Sequence, residues 1–357
     1  MPLYINPDFH RPPNGLADAF GADRSSFFRL PAWYDLIARR GVPAGTEIRV
    51  YTDERPASAT ALLLQTAPRE DGRRLASLTN AHSLEHGIPH GLGAELETAL
   101  PAILSEILAE RPHWDCLSLS ELDPHEPSYA ALAGALRGAG LLVECSLSSG
   151  TWYEETAGLS FADYLAARPS ELRNTWRRKR RKLEQANRLA KRFFDNDSGV
   201  DQAIADYQSV YAASWKPAEF FPDFVPALIR LAAELRALRL GIYDLEGIPA
   251  AAQFWIVWNG RAVICKLAHD KRFDTLSLGT LLTMDMFERV LGEDRPHEIS
   301  LGRGDDPYKK MWLAKRRERW GITAANPRTL RGLRLGLKRQ AATVYHRLRG
   351  ERVGPLG

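Results

Sequence analysis

RAVICKLAHDKRFDTLSLGTLLTMDMFERVLGEDRPHEISLGRGDDPYKKMW, residues 261–312, carries strand, loop, helix, strand and helix signals in unbroken succession. Asn259-Gly260 stands just before it, between two apolar, aromatic-rich runs, and is the strongest short-range signal for a hairpin with a type I′ turn. The partner strand, 261–268, alternates: Ala262, Ile264, Lys266 and Ala268 fall on one sheet face, Val263, Cys265 and Leu267 on the other. A loop over 271–279 follows, containing Ser277, Leu278 and Gly279, and Thr280 leads into an apolar helix over 281–291 with a Ser/Thr cap. A strand feeding a glycine-containing loop and a helix N-terminus makes an anion site, because unpaired N–H groups and the helix dipole both favour a phosphate. Arg272 adds a formal charge nearby. Residues 297–303 read as a second strand, 302–306 as a tight loop, and 307–317 as a helix with Pro307 first and Tyr308 at its start.

That order of elements resembles the GNAT acyltransferase fold, and the wording SLGTLL, GRGDDPYKKMW and RRERWG resembles its FemAB-like and CelD-like branch. The likeness extends upstream through YQSVYAASW, LGIYDLEGIPAAAQFW and KLAHD, so it covers roughly 161–331 well and the N-terminal half loosely. It implies an α/β (α+β) fold of tandem GNAT-like lobes, each a mixed, mostly antiparallel sheet flanked by helices. It also implies N-acyl transfer from acyl-CoA, acetyl-CoA above all, to a small-molecule or saccharide amine, with a tyrosine acid at the place of Tyr308. The family usually has an acidic residue where this chain has Ser300.

At 357 residues the chain exceeds the size at which one core usually stops growing, so two domains are expected. The hydrophobic share of 45% and charged share of 26% suit a globular protein. No apolar run approaches the roughly 20 residues of a spanning helix, and MPLYINPDFHRPP lacks a basic start and apolar core, so a cytoplasmic location is expected. Cys116, Cys145 and Cys265 are odd in number and widely spaced, which argues against a disulfide framework or a zinc pattern.

Taken in order, residues 25–40 read as a helix ending at Gly41, then 47–52, 59–66 and 74–79 as strands. Helix 94–110, strand 114–119, helix 129–137 and strand 141–153 complete an N-terminal lobe, 1–155. His82, His86 and His90 are four apart, but Gly87 and Pro89 make their segment a loop, and no metal is expected. Gly91 and Gly93 before a helix offer a second, weaker anion site. A helix over 161–187 holds Arg173 and the run 177–182 with no acid between them, a solvated or lobe-bridging helix that joins the lobes as a 156–200 connector with a strand. Helices 201–215 and 222–239 open the C-terminal lobe, 201–325, with Tyr207, Val210, Tyr211 and Trp215 as an aromatic core stripe. In the tail, 326–357, Arg331, Arg334, Lys338, Arg339, Arg347 and Arg349 face only Glu351. An anionic membrane surface is a minor alternative for it, since Leu333, Leu335 and Leu337 alternate.

Thioester aminolysis needs a neutral amine, donors for the oxyanion and an acid for the thiolate. The strand edge 266–269 is the expected source of oxyanion donors, Tyr308 the acid, and Asp305, Asp306 and His269 the candidate bases. Arg272, Ser277, Leu278, Gly279 and Thr280 are the expected acyl-CoA residues, and Lys266, Asp306 and Lys309 the acceptor residues. Two alternatives remain: aminoacyl transfer from tRNA, the only reading with a nucleic acid partner, and a non-catalytic adaptor, which Ser300 favours.

Overall fold

The computed structural model describes residues 2–348 apart from 22–24, 56–58, 68–71, 187 and 197, and side chains as far as residue 342. Arg349 and Glu351 of the basic tail lie outside the described residues, as does the Arg347 side chain. Two compact units divide the chain: Met1–Gly150 with Glu318–Gly357, and Thr151–Arg317.

The first unit runs β1 (Leu3–Ile5), α1 (Asn14–Phe20), α2 (Pro31–Arg40), β2 (Ile48–Asp53), β3 (Thr60–Thr66), β4 (Arg74–Ser77), α3 (Leu96–Ala109), β5 (Cys116–Leu122), α4 (Pro127–Gly138) and the first part of β6 (Leu142–Glu155). Strands β1 to β4 pair antiparallel in sequence order, and β5 joins β4 in parallel. Leu100, Ile103, Leu104 and Ile107 of α3 bury their faces with Leu62, Leu64, Leu117 and Leu119 from the sheet. Each such side chain contributes about 1.5–3 kcal/mol of transfer free energy. The helix expected over 25–40 starts at Pro31 instead. Ser26 Oγ accepts from Phe28 N at 3.2 Å over a 3-10 turn, and Leu30 is extended (φ −67°, ψ 146°), the conformation a following proline enforces. The histidine loop is irregular as expected, and His90 Nδ1 bonds the Ile88 carbonyl at 2.7 Å. His86 is buried 3.5 Å from the Tyr34 hydroxyl, and burial with Arg29 nearby lowers its pKa to about 3.

The second unit continues from the end of β6 through α5 (Phe161–Ala166), α6 (Ser170–Ala186), β7 (Leu189–Phe194), α7 (Val200–Ala212), α8 (Phe224–Glu234), β8 (Leu238–Leu245), β9 (Ile248–Trp258), β10 (Arg261–His269), α9 (Leu278–Glu293), β11 (Glu298–Ser300) and the start of β12 (Lys315–Ala325). The expected 161–187 helix is two helices, because Pro169 follows the first. The basic helix is not a connector. Leu172, Trp176 and Leu183 bury one side of α6 in the core with Leu281, Phe287 and other α9 residues, while Arg177, Arg178, Arg181 and Lys182 remain exposed. Strands β7 to β10 pair antiparallel in order, and β11 joins β10 in parallel. That order repeats the first unit element for element: strand, two helices, three strands, helix, parallel strand.

Each unit completes its sheet with a strand from the other half of the chain. The end of β6 pairs antiparallel with β11, Glu155 opposite Glu298, and β12 pairs antiparallel with β5, Ile322 opposite Leu119. The helix expected over 307–317 is therefore a five-residue 3-10 turn, Pro307–Met311, followed by a strand. Residues 318–325, expected in the C-terminal lobe, belong to the first unit. The tail returns to that unit as α10 (Leu330–Leu348), with Gly332 and Gly336 against it. A Cβ at Gly332 would lie 2.1 Å from the Asn326 carbonyl oxygen, and one at Gly336 would lie 2.4 Å from Leu142 Cδ1, so this contact requires glycine.

Candidate active site

The Asn259-Gly260 turn has φ of 46° and 72°, as a type I′ hairpin needs, and delivers β10 in register. A β-bulge at Cys265 then breaks the expected alternation: Ile264 sits opposite Trp255 and Lys266 opposite Phe254. Ile264 packs in the core with α9, and Leu267 reaches the same helix at Gly279, while Lys266 turns to the other face and meets Tyr211 of α7. Bulges re-aim side chains in this way beside functional sites.

Beyond the bulge β10 has one open edge. Its pairing with β11 covers only Arg261, Ala262 and Val263, whereas β9 pairs with it as far as His269. Among the described strands none pairs with the other edge past Val263, so from there to His269 that edge has no ladder partner. The end of that edge lies beside the start of α9. Ser277 adopts a left-handed conformation (φ 58°) and its hydroxyl makes no cap, contrary to the expected Ser/Thr cap. The first intrahelical bond is Leu281 N to Ser277 O at 3.1 Å, so the amides of Leu278, Gly279 and Thr280 precede the helical ladder. Gly279 keeps this turn low: a Cβ there would stand 3.2 Å from His269 Nδ1. Arg272 does not point a free charge at the turn. Its backbone N–H and its guanidinium, through Nε and NH2, all bond Asp270, whose carboxyl is lowered in pKa by that contact.

His269, at the end of β10, bonds Asp274 through Nε2 at 2.8 Å and lies 4.5 Å, ring to ring, from Trp215. Its Nδ1 is buried without a partner. Tyr207 and Val210 are buried as the stripe reading expects, but Trp215 is 49% exposed and borders the site instead of the core.

Lys216 and Glu219 are residues that sequence reasoning passed over. They lie in WKPAEFF, 215–221, a proline-containing segment between α7 and α8 that a two-helix reading treats as a linker. Glu219 bonds Lys266 Nζ at 2.5 Å, and the Lys216 ammonium lies 5.7 Å from the Trp215 ring centre. Burial, then the neighbouring charge of Lys266, lowers the Lys216 pKa to about 8. Lys309 and Asp306 also act on Lys216, so the loop after β11 reaches this cluster. A lysine and a glutamate with two aromatic neighbours in a non-helical linker was the available signal.

The other expected residues have defined places. Lys309 is buried, donates from Nζ to the carbonyls of Arg303 at 2.8 Å and Gly304 at 3.1 Å, and thereby closes the loop; burial lowers its pKa. Asp306 is 3.5 Å from that ammonium. Tyr308 is half exposed, and partial burial followed by Asp306 raises its phenol above the usual 10. Asp305 stands apart: Arg316 and Trp152 each donate to it at 2.8 Å, and those bonds, Arg316 foremost, lower its pKa and weaken it as a base. Ser300 is buried in β11 between Val263 and Tyr153.

Among its described residues the first unit has no comparable open edge. β4 ends at Ser77, one residue past its pairing with β5, and Glu95 and Glu97 flank the start of α3, where their charge would repel an anion.

Residues 170–310 match the family model of the acetyltransferase (GNAT) domain. FemX, a solved structure, superposes with a TM-score of 0.58 at 10% identity, covering 90% of this chain and 97% of its own. The C-terminal domain of a putative lysylphosphatidylglycerol synthetase from Agrobacterium fabrum superposes at 0.54 with 14% identity, over 94% of this chain and 96% of that one. A conserved protein of unknown function from Bacteroides thetaiotaomicron gives 0.54 at 13% identity, over 87% and 95%. At such identities the likeness is one of fold. No curated protein is similar enough in sequence to count as a relative.

Proposed function

Since residues 170–310 form a GNAT domain in a chain that shares its fold with FemX, we propose that the protein is an N-acyltransferase taking an acyl group, acetyl first, from acyl-CoA to an amine. The observation that carries this reading is the open edge of β10 past Val263, which ends at the uncapped start of α9. An extended amide chain such as pantetheine can bond that edge as an added strand would, and the pyrophosphate then meets the amides of Leu278, Gly279 and Thr280. When bound, acyl-CoA supplies the thioester; the chain's own groups orient it and move protons.

In this reading the acceptor amine enters beside Lys216, Lys266 and Glu219. Lys216, with a pKa of about 8, holds a neutral fraction at working pH and takes the proton that the attacking ammonium must lose. Lys266 is fixed by Glu219 beside Lys216, and its proximity holds the Lys216 pKa down. Tyr308, whose pKa lies above 10, remains protonated and supplies the proton to the departing thiolate. Lys309 and Asp306 set the loop that presents it.

The test is CoA release across an amine panel, with acyl-CoA affinity measured in parallel. Tyr308→Phe keeps the ring and should slow turnover roughly 100-fold with donor affinity nearly unchanged. Unchanged turnover removes the acid role, and absence of turnover in the parent protein favours a non-catalytic adaptor. The exposed cations Arg177, Arg178, Arg181 and Lys182 on α6 favour one second reading, aminoacyl transfer from tRNA. Turnover with acyl-CoA and no tRNA present excludes it.

A further inference from the structure

The described part of α10 is two-faced in a way its sequence hides. Gly332 and Gly336, four apart, are buried against the first unit, and Leu335 is partly covered. Leu330, Leu333 and Leu337, at spacings of three and four, stand on the other side, exposed by 83%, 37% and 56%. The alternation of Leu333, Leu335 and Leu337 thus conceals a helical stripe whose first member is Leu330. Arg331, Arg334 and Lys338, again spaced three and four, form a second exposed stripe alongside it and make no ion pair among the described residues. Arg339, near the buried side, pairs with Glu144. Between Asn326 and Ala342 there is no acidic residue.

An apolar stripe flanked by unpaired cations, on a helix seated through glycine, matches the chemistry of an anionic lipid surface. We propose that α10 docks the protein on anionic phospholipid, with the three leucines entering the headgroup boundary and Arg331, Arg334 and Lys338 lying among lipid phosphates. Its described residues are too charged and not apolar enough to cross a bilayer, so the contact is peripheral. A partner protein would more often present carboxylates and would leave its own apolar face to match the stripe; neither is needed by a lipid surface. The inference stands independently of the acyl-transfer reading.

The test is co-sedimentation of the full chain with vesicles of phosphatidylcholine and phosphatidylglycerol at 3:1, against vesicles of phosphatidylcholine alone. The expected result is retention on the anionic vesicles that weakens with salt, and at least about tenfold less on the neutral ones. Each basic residue contributes roughly fivefold at an anionic surface, so Arg334→Glu with Lys338→Glu should weaken retention roughly 25-fold or more. Leu333→Ser with Leu337→Ser should weaken it about tenfold or more while the far-ultraviolet circular dichroism stays unchanged. Both pairs are exposed, so neither should disturb folding. Equal retention on both vesicles, no retention on either, or full retention by the leucine variant overturns the proposal. So does a dimer by sedimentation equilibrium that the leucine variant loses, since a second copy would then cover the stripe.

Discussion

Replacing Thr280 with glutamate tests the proposed donor site apart from the stability of the fold, because the two should respond with opposite sign. Thr280 is the third residue of α9, partly exposed, in the turn whose amides precede the helical ladder. A carboxylate there complements the positive end of the helix by about 0.3–1 kcal/mol. At about 2–4 °C per kcal/mol for a unit of this size, the midpoint of thermal unfolding should rise by roughly 1–4 °C. The same carboxylate would stand about 6 Å from a pyrophosphate bearing about two charges. At an effective dielectric near 40 that repulsion is about 2.8 kcal/mol, and a Debye length of about 8 Å roughly halves it, leaving about a tenfold loss of acyl-CoA affinity. Isothermal calorimetry with acetyl-CoA, alongside calorimetric melting, reads both numbers, and Thr280→Gln supplies the shape without the charge. Affinity unchanged in the glutamate variant would show that the pyrophosphate does not lie at this turn. A loss of affinity matched by the glutamine variant, or accompanied by a lower melting point, would refute the electrostatic reasoning.

Lys216 should leave a signature in stability against pH. Its folded pKa of about 8 lies below its ordinary value near 10.5, so between those values the unfolded chain binds the extra proton and stability rises with pH. Lys216→Met should therefore gain stability over the parent at pH 7.5 and lose that advantage progressively toward pH 10, as read by urea unfolding at each pH; a constant difference would place Lys216 in solvent. Gly332→Ala should cost about 1–3 kcal/mol by forcing a methyl group against the Asn326 and Asp115 carbonyl oxygens, 2.1 Å and 2.6 Å from its position, and an unchanged urea midpoint would mean that α10 does not seat there.

Much of this fold is legible in the sequence because its signals are local. The Asn259-Gly260 hairpin, the strands read over 47–52 and 59–66, and the buried helix after Gly279 follow from turn chemistry and from short apolar runs, and the structure has all of them. Tyr308, Asp306, Lys309 and Lys266 could be named as site candidates because each stands at the end of a strand or in the loop after one. What tertiary structure alone decides is of another kind. That β12 follows a 3-10 turn, where a helix is expected, depends on β5 being available beside it, a partner some two hundred residues earlier. The bulge at Cys265, which turns Lys266 away from Ile264, depends on how β9 and β10 share register. Lys216 and Glu219 meet Lys266 only when a linker folds over that strand, and the Arg272 guanidinium is taken up only because Asp270 holds it. Leu330 joins Leu333 and Leu337 in one stripe only once Gly332 and Gly336 seat α10 on the first unit. Periodicity along a chain reports which face each residue could take; which face is buried, which charge is paired and which strand edge stays open are set by neighbours that sequence distance does not reveal.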